Sequence, residues 1–288
     1  MVAADGSYVD GTFGRGGHST RILDALSPSG TLLALDQDPA AESAARPLID
    51  QDPRFQFLAV NFRGLADHVA PGSLQGVLLD LGVSSPQLDD PERGFSFSHD
   101  GPLDMRMNPA SGQSATDWLA NVGEAELAGV LRDLGEERFA RRIAAAIVRE
   151  RSVAPIERTA QLADIVSAAN PKWEPHKHPA TRSFQAIRLQ VNGELEALRE
   201  VLDATVLALA PGGRMVVISF HSLEDRIVKR FIRDAARGAQ LPPGVPVQYE
   251  AQQGLLRQIG KAVVPSEAEI AENPRARSAI MRVAERLP

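Results

Sequence analysis

The chain has no cysteine. Disulfides, thiolate zinc sites, iron–sulfur clusters and a cysteine nucleophile are therefore excluded. No apolar run approaches the ~20 residues that span a bilayer, and the start Met1-Val2-Ala3-Ala4-Asp5 lacks a basic region followed by an apolar core. A cytoplasmic location with no membrane partner is the expectation. Internal repeats and low-complexity tracts are missing too. So is an excess of positive charge: 31 Lys and Arg stand against 37 Asp and Glu, for a net charge of −6. That argues against a uniformly basic nucleic-acid coat, although phosphate contacts need only a local patch. Arg226–Arg237 holds Arg226, Lys229, Arg230, Arg233 and Arg237 against Asp234 alone. Lys172–Arg188 holds Lys172, Lys177, Arg182 and Arg188 against Glu174. Each stretch taken alone also fits a solvated helix face or loop.

What is present begins with Tyr8-Val9-Asp10-Gly11-Thr12-Phe13-Gly14-Arg15-Gly16-Gly17-His18-Ser19. The run reads as a strand ending in Asp10, a glycine turn, and a helix. Glycine lets the backbone approach a ligand closely, and the helix start offers unpaired N–H groups and a positive dipole end. Twenty residues beyond Gly16, the apolar run Thr31–Leu35 ends in Asp36, placed to accept ribose hydroxyls. The nicotinamide fingerprint Gly-x-Gly-x-x-Gly fails here, because Ser19 stands sixth from Gly14 and Phe13 third from Gly11. The looser Asp-x-x-x-Gly-x-Gly form suits S-adenosylmethionine, which has no pyrophosphate to cradle.

Short apolar runs alternate with helical patterns, implying βαβ units and a parallel sheet. Strands are expected at Ser7–Asp10, Leu32–Asp36, Phe55–Val60 and Val77–Leu81, with helices starting near His18 and Pro39. Asp10, Asp36 and Asp80 then lie along the carboxyl rim, where ligands of open α/β sheets bind. The stretch 82–108 shows no period and reads as a functional loop. Helices are expected at Ala125–Leu134, Glu136–Arg151 and, with a Thr start signal, Thr159–Ala169. They form an inserted domain over 109–192. The α/β pattern resumes with a helix at Glu194–Leu209 stopped by Pro211-Gly212-Gly213, a strand at Arg214–Phe220 and a helix at Glu224–Ala236. Strands at Leu256–Ala262 and Ser278–Glu285, separated by a polar loop, complete a seven-stranded methyltransferase sheet.

Ser85-Pro86-Gln87, after the Asp80 strand, partly matches the Asp/Ser/Asn-Pro-Pro-aromatic loop of amine methyltransferases, and equally fits a simple turn. A cytosine amine delocalises its lone pair into the ring, so acceptors that hold its N–H groups would expose that pair. Positioning and electrostatics supply most of the catalysis, and no metal is required. Asp80, Ser85 and Pro86 are the candidate catalytic residues. His221, in Ser219-Phe220-His221-Ser222-Leu223-Glu224-Asp225, is a candidate base, with Ser222 and Asp225 read as a helix cap. A Ser219/His221/Asp225 hydrolase triad is disfavoured by the close spacing and the missing Gly-x-Ser-x-Gly elbow.

Asp10-Gly-Thr-Phe-Gly-Arg-Gly-Gly-His18, Leu79-Asp-Leu-Gly-Val-Ser-Ser-Pro-Gln-Leu88, Arg93-Gly-Phe-Ser-Phe97, Gly101-Pro-Leu-Asp-Met-Arg-Met107, Gly135-Glu-Glu-Arg138, His178-Pro-Ala-Thr-Arg182, Val191-Asn-Gly-Glu-Leu195, Ile218-Ser-Phe-His-Ser-Leu-Glu-Asp-Arg226 and Glu272-Asn-Pro-Arg-Ala-Arg-Ser278 together resemble the bacterial 16S ribosomal RNA cytosine-N4 methyltransferase family. The resemblance implies a Rossmann-like class I fold in two parts, with 1–108 and 193–288 as the methyltransferase domain and 109–192 as an all-helical insertion facing RNA. It implies S-adenosylmethionine as donor and N4-methylation of one cytidine, cytidine 1402, in the decoding region of 16S rRNA within the small subunit. It is compatible with a homodimer. By motif, cofactor contacts fall to Asp10, Gly16, Gly17, His18, Asp36, Phe62 near adenine, Asp80 and Gln87. The two basic stretches supply the candidate RNA contacts, Lys177, Arg182, Arg188, Arg226, Lys229 and Arg230. The family pattern also carries a His-x-Pro-Val-Leu-Leu segment ahead of the first strand, where this sequence has Met1-Val2-Ala3-Ala4, and that segment is expected to matter for donor binding. A nicotinamide oxidoreductase and a non-catalytic assembly factor keeping the fold are the alternatives.

Overall fold

A computed structural model describes residues 2–173, 178–238 and 254–288. It contains a seven-stranded sheet of order β3-β2-β1-β4-β5-β7-β6. The strands are β1 Ser7–Asp10, β2 Thr31–Leu35, β3 Phe55–Leu58, β4 Leu74–Asp80, β5 Leu209–Ser219, β6 Leu256–Val263 and β7 Ile280–Arg286. The first five pair in parallel, and β7 runs antiparallel to both β5 and β6. This is the Rossmann-like, mostly parallel architecture expected. The chain moves outward from β1 to β2 and β3, then returns to β4 on the other side of β1. The sheet's topological switch point therefore lies between β1 and β4, which is where such sheets bind ligands.

Strand alternation sorts the core. Val9, Leu33 and Leu35 face one layer with Leu198, Val201 and Leu202 of α9 (Glu194–Ala208) and Val228 and Ile232 of α10 (Ser222–Arg237). Tyr8, Leu32 and Ala34 face the other, with Leu23 of α1 (Gly17–Ala25) and Ala41 and Ala45 of α2 (Pro39–Gln51). Two-residue periodicity lets one short strand serve both layers. Pro211-Gly212-Gly213 does more than stop a helix. It forms an irregularity inside β5, where Leu74 pairs with Leu209 and Gly76 already pairs with Arg214, and Gly212 takes a φ of +81°.

Two compact units emerge, Met1–Gly82 with Leu195–Pro288, and Val83–Glu194. The second starts well before Pro109, the expected boundary. The cause is backbone pairing in the period-free stretch. Leu103 N donates to Glu157 O, Pro102 bridges Arg158, and Gly101 N donates to Thr159 Oγ1 at 3.0 Å. Leu103 and Met105 are then buried in the same core as Leu127, Ile143, Ile147 and Leu162. The stretch also contains a short helix, α3 (Ser85–Asp89). The rest of the unit is α4 (Ala115–Asn121), α5 (Glu124–Gly135), α6 (Ala140–Arg151), α7 (Thr159–Ala169) and α8 (Thr181–Asn192). α6 starts after Glu136, which has a φ of +50° and ends α5. Thr159 is the first helical residue of α7 and not its cap, because its hydroxyl accepts the Gly101 amide. The polar loop before β7 carries α11 (Glu267–Glu272). Among the described residues no helix is long and apolar enough to cross a membrane.

Candidate active site

Asp10 ends β1 fully buried. Its Oδ2 accepts the Ser19 hydroxyl at 2.7 Å and its Oδ1 the Thr12 amide at 3.1 Å. Burial pushes this carboxyl's pKa up, and the Ser19 and Thr12 donors oppose the shift. Thr12 also reaches across the switch point, where its Oγ1 accepts the Asp80 amide at 2.6 Å. Gly11 N donates to Leu78 O at 2.9 Å, and a Cβ on Gly11 would lie 2.6 Å from Leu79 Cδ2. Side chain and backbone together lock the ends of β1 and β4. Sequence reasoning passed over Thr12 and Ser19. The signal was two hydroxyl residues inside the glycine run, one on each side of the turn.

The turn is pinned by Phe13, which packs on Phe55 and Phe57 with ring centroids 5.7 and 5.4 Å away. Gly16 then takes a φ of +80° as the N-cap of α1, and a Cβ there would lie 2.9 Å from the Phe13 ring. Glycine has no side chain to cap with, so the N–H groups of the first turn keep no side-chain acceptor. A Cβ added to Gly14 or Gly17 would meet nothing within 4 Å. Asp36, just beyond β2, accepts Gly14 N at 2.8 Å and Asp38 N at 2.9 Å. Burial raises its pKa, and those amides counter the rise. Each Asp36 oxygen still has acceptor capacity for a ribose hydroxyl.

His18 and Asp80 meet at 3.3 Å, from Nε2 to Oδ2. The contact with Asp80 raises the imidazole pKa, and partial burial opposes it. The other Asp80 oxygen, Oδ1, is buried and has no hydrogen-bond partner. Such an orphan is costly unless a ligand supplies the donor. Phe62 opens a 3-10 turn (Phe62–Asp67) after β3, half-buried, with its Cβ 3.5 Å from where a Cβ on Gly11 would stand. Asp10, Gly16, Gly17, His18, Asp36, Phe62 and Asp80 thus all belong to the α/β unit's carboxyl rim.

Ser85, Pro86 and Gln87 sit in the helical unit, in the first turn of α3. Gln87 is buried, and its Oε1 accepts the Ser84 amide at 2.8 Å, closing a capping box. Ser85-Pro86-Gln87 thus forms a capped helix start.

His221 differs from expectation. It caps α10 itself: its Nδ1 accepts the Glu224 amide at 3.4 Å, while Glu224 Oε2 accepts the Phe220 and His221 amides at 2.9 and 3.3 Å. Nδ1 as acceptor puts the neutral ring's proton on Nε2, which is the wrong tautomer for a base acting there. Ser222 is the first helical residue and not the cap. Asp225 pairs with Arg282 of β7 at 2.7 and 3.0 Å, so the histidine and aspartate of the hydrolase triad are separately employed.

The cations divide. Arg226, Lys229 and Arg230 are exposed on α10, opposite its buried Leu223, Val228 and Ile232. Arg182, half-buried on α8, donates to Glu136 O at 3.0 Å. Arg188 is not available to RNA, because Glu194 takes its guanidinium in two bonds of 2.9 and 3.0 Å within a largely buried pair. Lys177 lies outside the described residues.

A family model described as the MraW methylase family matches residues 1–287. A protein named ribosomal RNA small subunit methyltransferase H from Thioalkalivibrio sulfidiphilus is 60% identical over 291 residues, covering 99% of this chain and 93% of its own length. One of the same name from Chromohalobacter salexigens is 58% identical over 292 residues, covering 100% and 88%. Among solved structures, an rRNA methylase from Streptococcus thermophilus is 13% identical with a TM-score of 0.42, over 100% of this chain and 90% of that one.

Proposed function

Because the chain belongs to the MraW methylase family, we propose that it transfers a methyl group from S-adenosylmethionine to N4 of one cytidine, cytidine 1402, in 16S rRNA of the small ribosomal subunit. It would do so in the cytoplasm, where subunits assemble. The observation that carries this reading is the β1/β4 switch point, with an uncapped glycine helix start, Asp36 beside it, and an unpartnered oxygen on Asp80.

The residues present fit the donor. The space a Cβ would occupy at Gly14 and Gly17 is empty, so a ligand can lie against the backbone. The α1 amides suit the donor's carboxylate. Asp36 accepts the ribose hydroxyls, and Phe62 offers an apolar surface to adenine. When bound, the donor supplies a methyl group made electrophilic by its sulfonium charge.

The target amine is a poor nucleophile because its lone pair is shared with the ring. Asp80 Oδ1 is the acceptor assigned to its N–H. His18, 3.3 Å from Oδ2, orients that carboxylate. Ser85 and the carbonyl beside Pro86, in the first turn of α3, are the helical unit's own candidates for accepting a substrate N–H. Asp80 then receives the proton the product sheds. The base must leave its stack to present this edge, and Arg182 of the helical unit and Arg226, Lys229 and Arg230 of α10 supply contacts to the surrounding RNA. The test is to incubate the protein with S-adenosylmethionine and small subunits from a strain lacking the enzyme, then digest the rRNA and measure N4-methylcytidine by mass spectrometry. One methyl per subunit is expected. Subunit binding with no N4-methylcytidine would mark a non-catalytic assembly factor.

A further inference from the structure

Trp173 is 61% exposed, and it is the only large exposed apolar side chain among the described residues that is aromatic. Its indole does not stand alone. It lies 6.3 Å from the His178 ring, at 46°. His178 stacks on Phe97 at 4.5 Å and 30°, and Phe97 meets Phe184 edge-on at 4.8 Å and 75°. Phe184 is buried in the core of the helical unit. The four rings form a ladder that is anchored at one end and open at the other. His178 is also held from the side, since its Nδ1 accepts the Ala180 amide at 3.2 Å.

Core packing does not account for the open end, because an indole this exposed gains little from burial. The surroundings name the occupant. Lys172 is exposed next to Trp173, and Arg182 follows on α8. An exposed aromatic face beside a lysine matches the way single-stranded nucleic acids are held, with bases stacked on rings and phosphates on cations. A protein partner would call for a broader apolar patch than one indole.

We infer that Trp173 and His178 form a stacking platform for an unpaired base of the RNA substrate. The inference rests on the reading of this protein as an rRNA-modifying enzyme and adds a grip on that RNA within the helical unit. The platform tolerates any base, because every base has a π face.

The chain has two tryptophans, Trp118 and Trp173, so emission reports the site. Single-stranded oligoadenylate is titrated into wild type, Trp173→Phe and Trp173→Ala, with affinity measured by anisotropy. Quenching is expected in wild type and absent in Trp173→Phe, which keeps Trp118. Affinity should fall roughly 5- to 150-fold in Trp173→Ala and largely survive in Trp173→Phe, which keeps a ring. On small subunits, KM should rise in Trp173→Ala with kcat at saturation retained. Equal oligoadenylate affinity in wild type and Trp173→Ala, or quenching that persists in Trp173→Phe, overturns the platform. Those outcomes alongside normal N4-methylcytidine formation defeat the platform alone. Failure of wild type to form N4-methylcytidine defeats the functional reading, while the oligoadenylate titration still judges the platform.

Discussion

Two corners of the sheet share one plan and differ in outcome. At β1–α1 and at β5–α10 a strand ends in a buried polar residue, Asp10 or Ser219, and a histidine stands where the helix begins. At β5–α10 the corner closes on itself: His221 and Glu224 consume each other's backbone donors, and Asp225 is held by Arg282. At β1–α1 the corner stays open. Gly16 offers no cap, His18 turns to Asp80, and Asp80 Oδ1 is left without a donor. A histidine near a helix start is thus poor evidence of chemistry by itself. Whether the helix's first amides are already spoken for is what separates a ligand site from a cap.

The largest effect that would break this comparison is expected at the open corner. Asp36→Ala removes a charged acceptor, and a hydrogen bond to a charged group contributes about 1.5–3 kcal/mol. Donor affinity measured by calorimetry should fall roughly 10- to 150-fold, and unchanged affinity would remove Asp36 from the site. At the closed corner the effect should be smaller and of another kind. His221→Ala should cost about 1 kcal/mol of stability, seen as a Tm lowered by roughly 2–4 °C, with kcat retained by the folded enzyme. His221→Asn, which can still cap, should recover most of the Tm. A fall in kcat with no change in Tm would restore His221 as a base.

The smallest effect concerns pH. Because Asp80 raises the His18 pKa above 6.5, the charged pair stabilises the fold fully below that value. The contribution is lost as pH rises through the higher folded pKa. Both side chains are partly exposed, at 48% and 30%, so it should stay under about 1 kcal/mol. The Tm difference between wild type and His18→Gln should be largest below pH 6.5 and shrink above it. A difference that grows with pH would contradict the pairing.

Much of this was legible in the sequence. β1 matched its expected bounds because Asp10 and the glycines punctuate it, and α7 did because its apolar period is clean. Asp36 and Asp80 fall on the carboxyl rim as expected, since an acid after a buried apolar run marks a strand end. The start of the helical unit was hidden: Leu103 and Met105 show no period, and only pairing with 157–159 brings them into a core. α8 was masked by its charges, which drew attention from Phe184, Ala186 and Ile187, all buried. Arg188 read as a free cation because nothing local shows that Glu194, six residues on, takes it. The reciprocal cap of His221 and Glu224 was missed because serine is the usual cap, and the role of Thr12 because it depends on β4 lying beside β1.

Amide hydrogen exchange with and without S-adenosylmethionine tests the contrast of the two corners most directly. The account predicts that the donor slows exchange at Gly14–Ser19 and leaves Phe220–Glu224 unchanged. Protection at Phe220–Glu224, with none at the glycine turn, would contradict it.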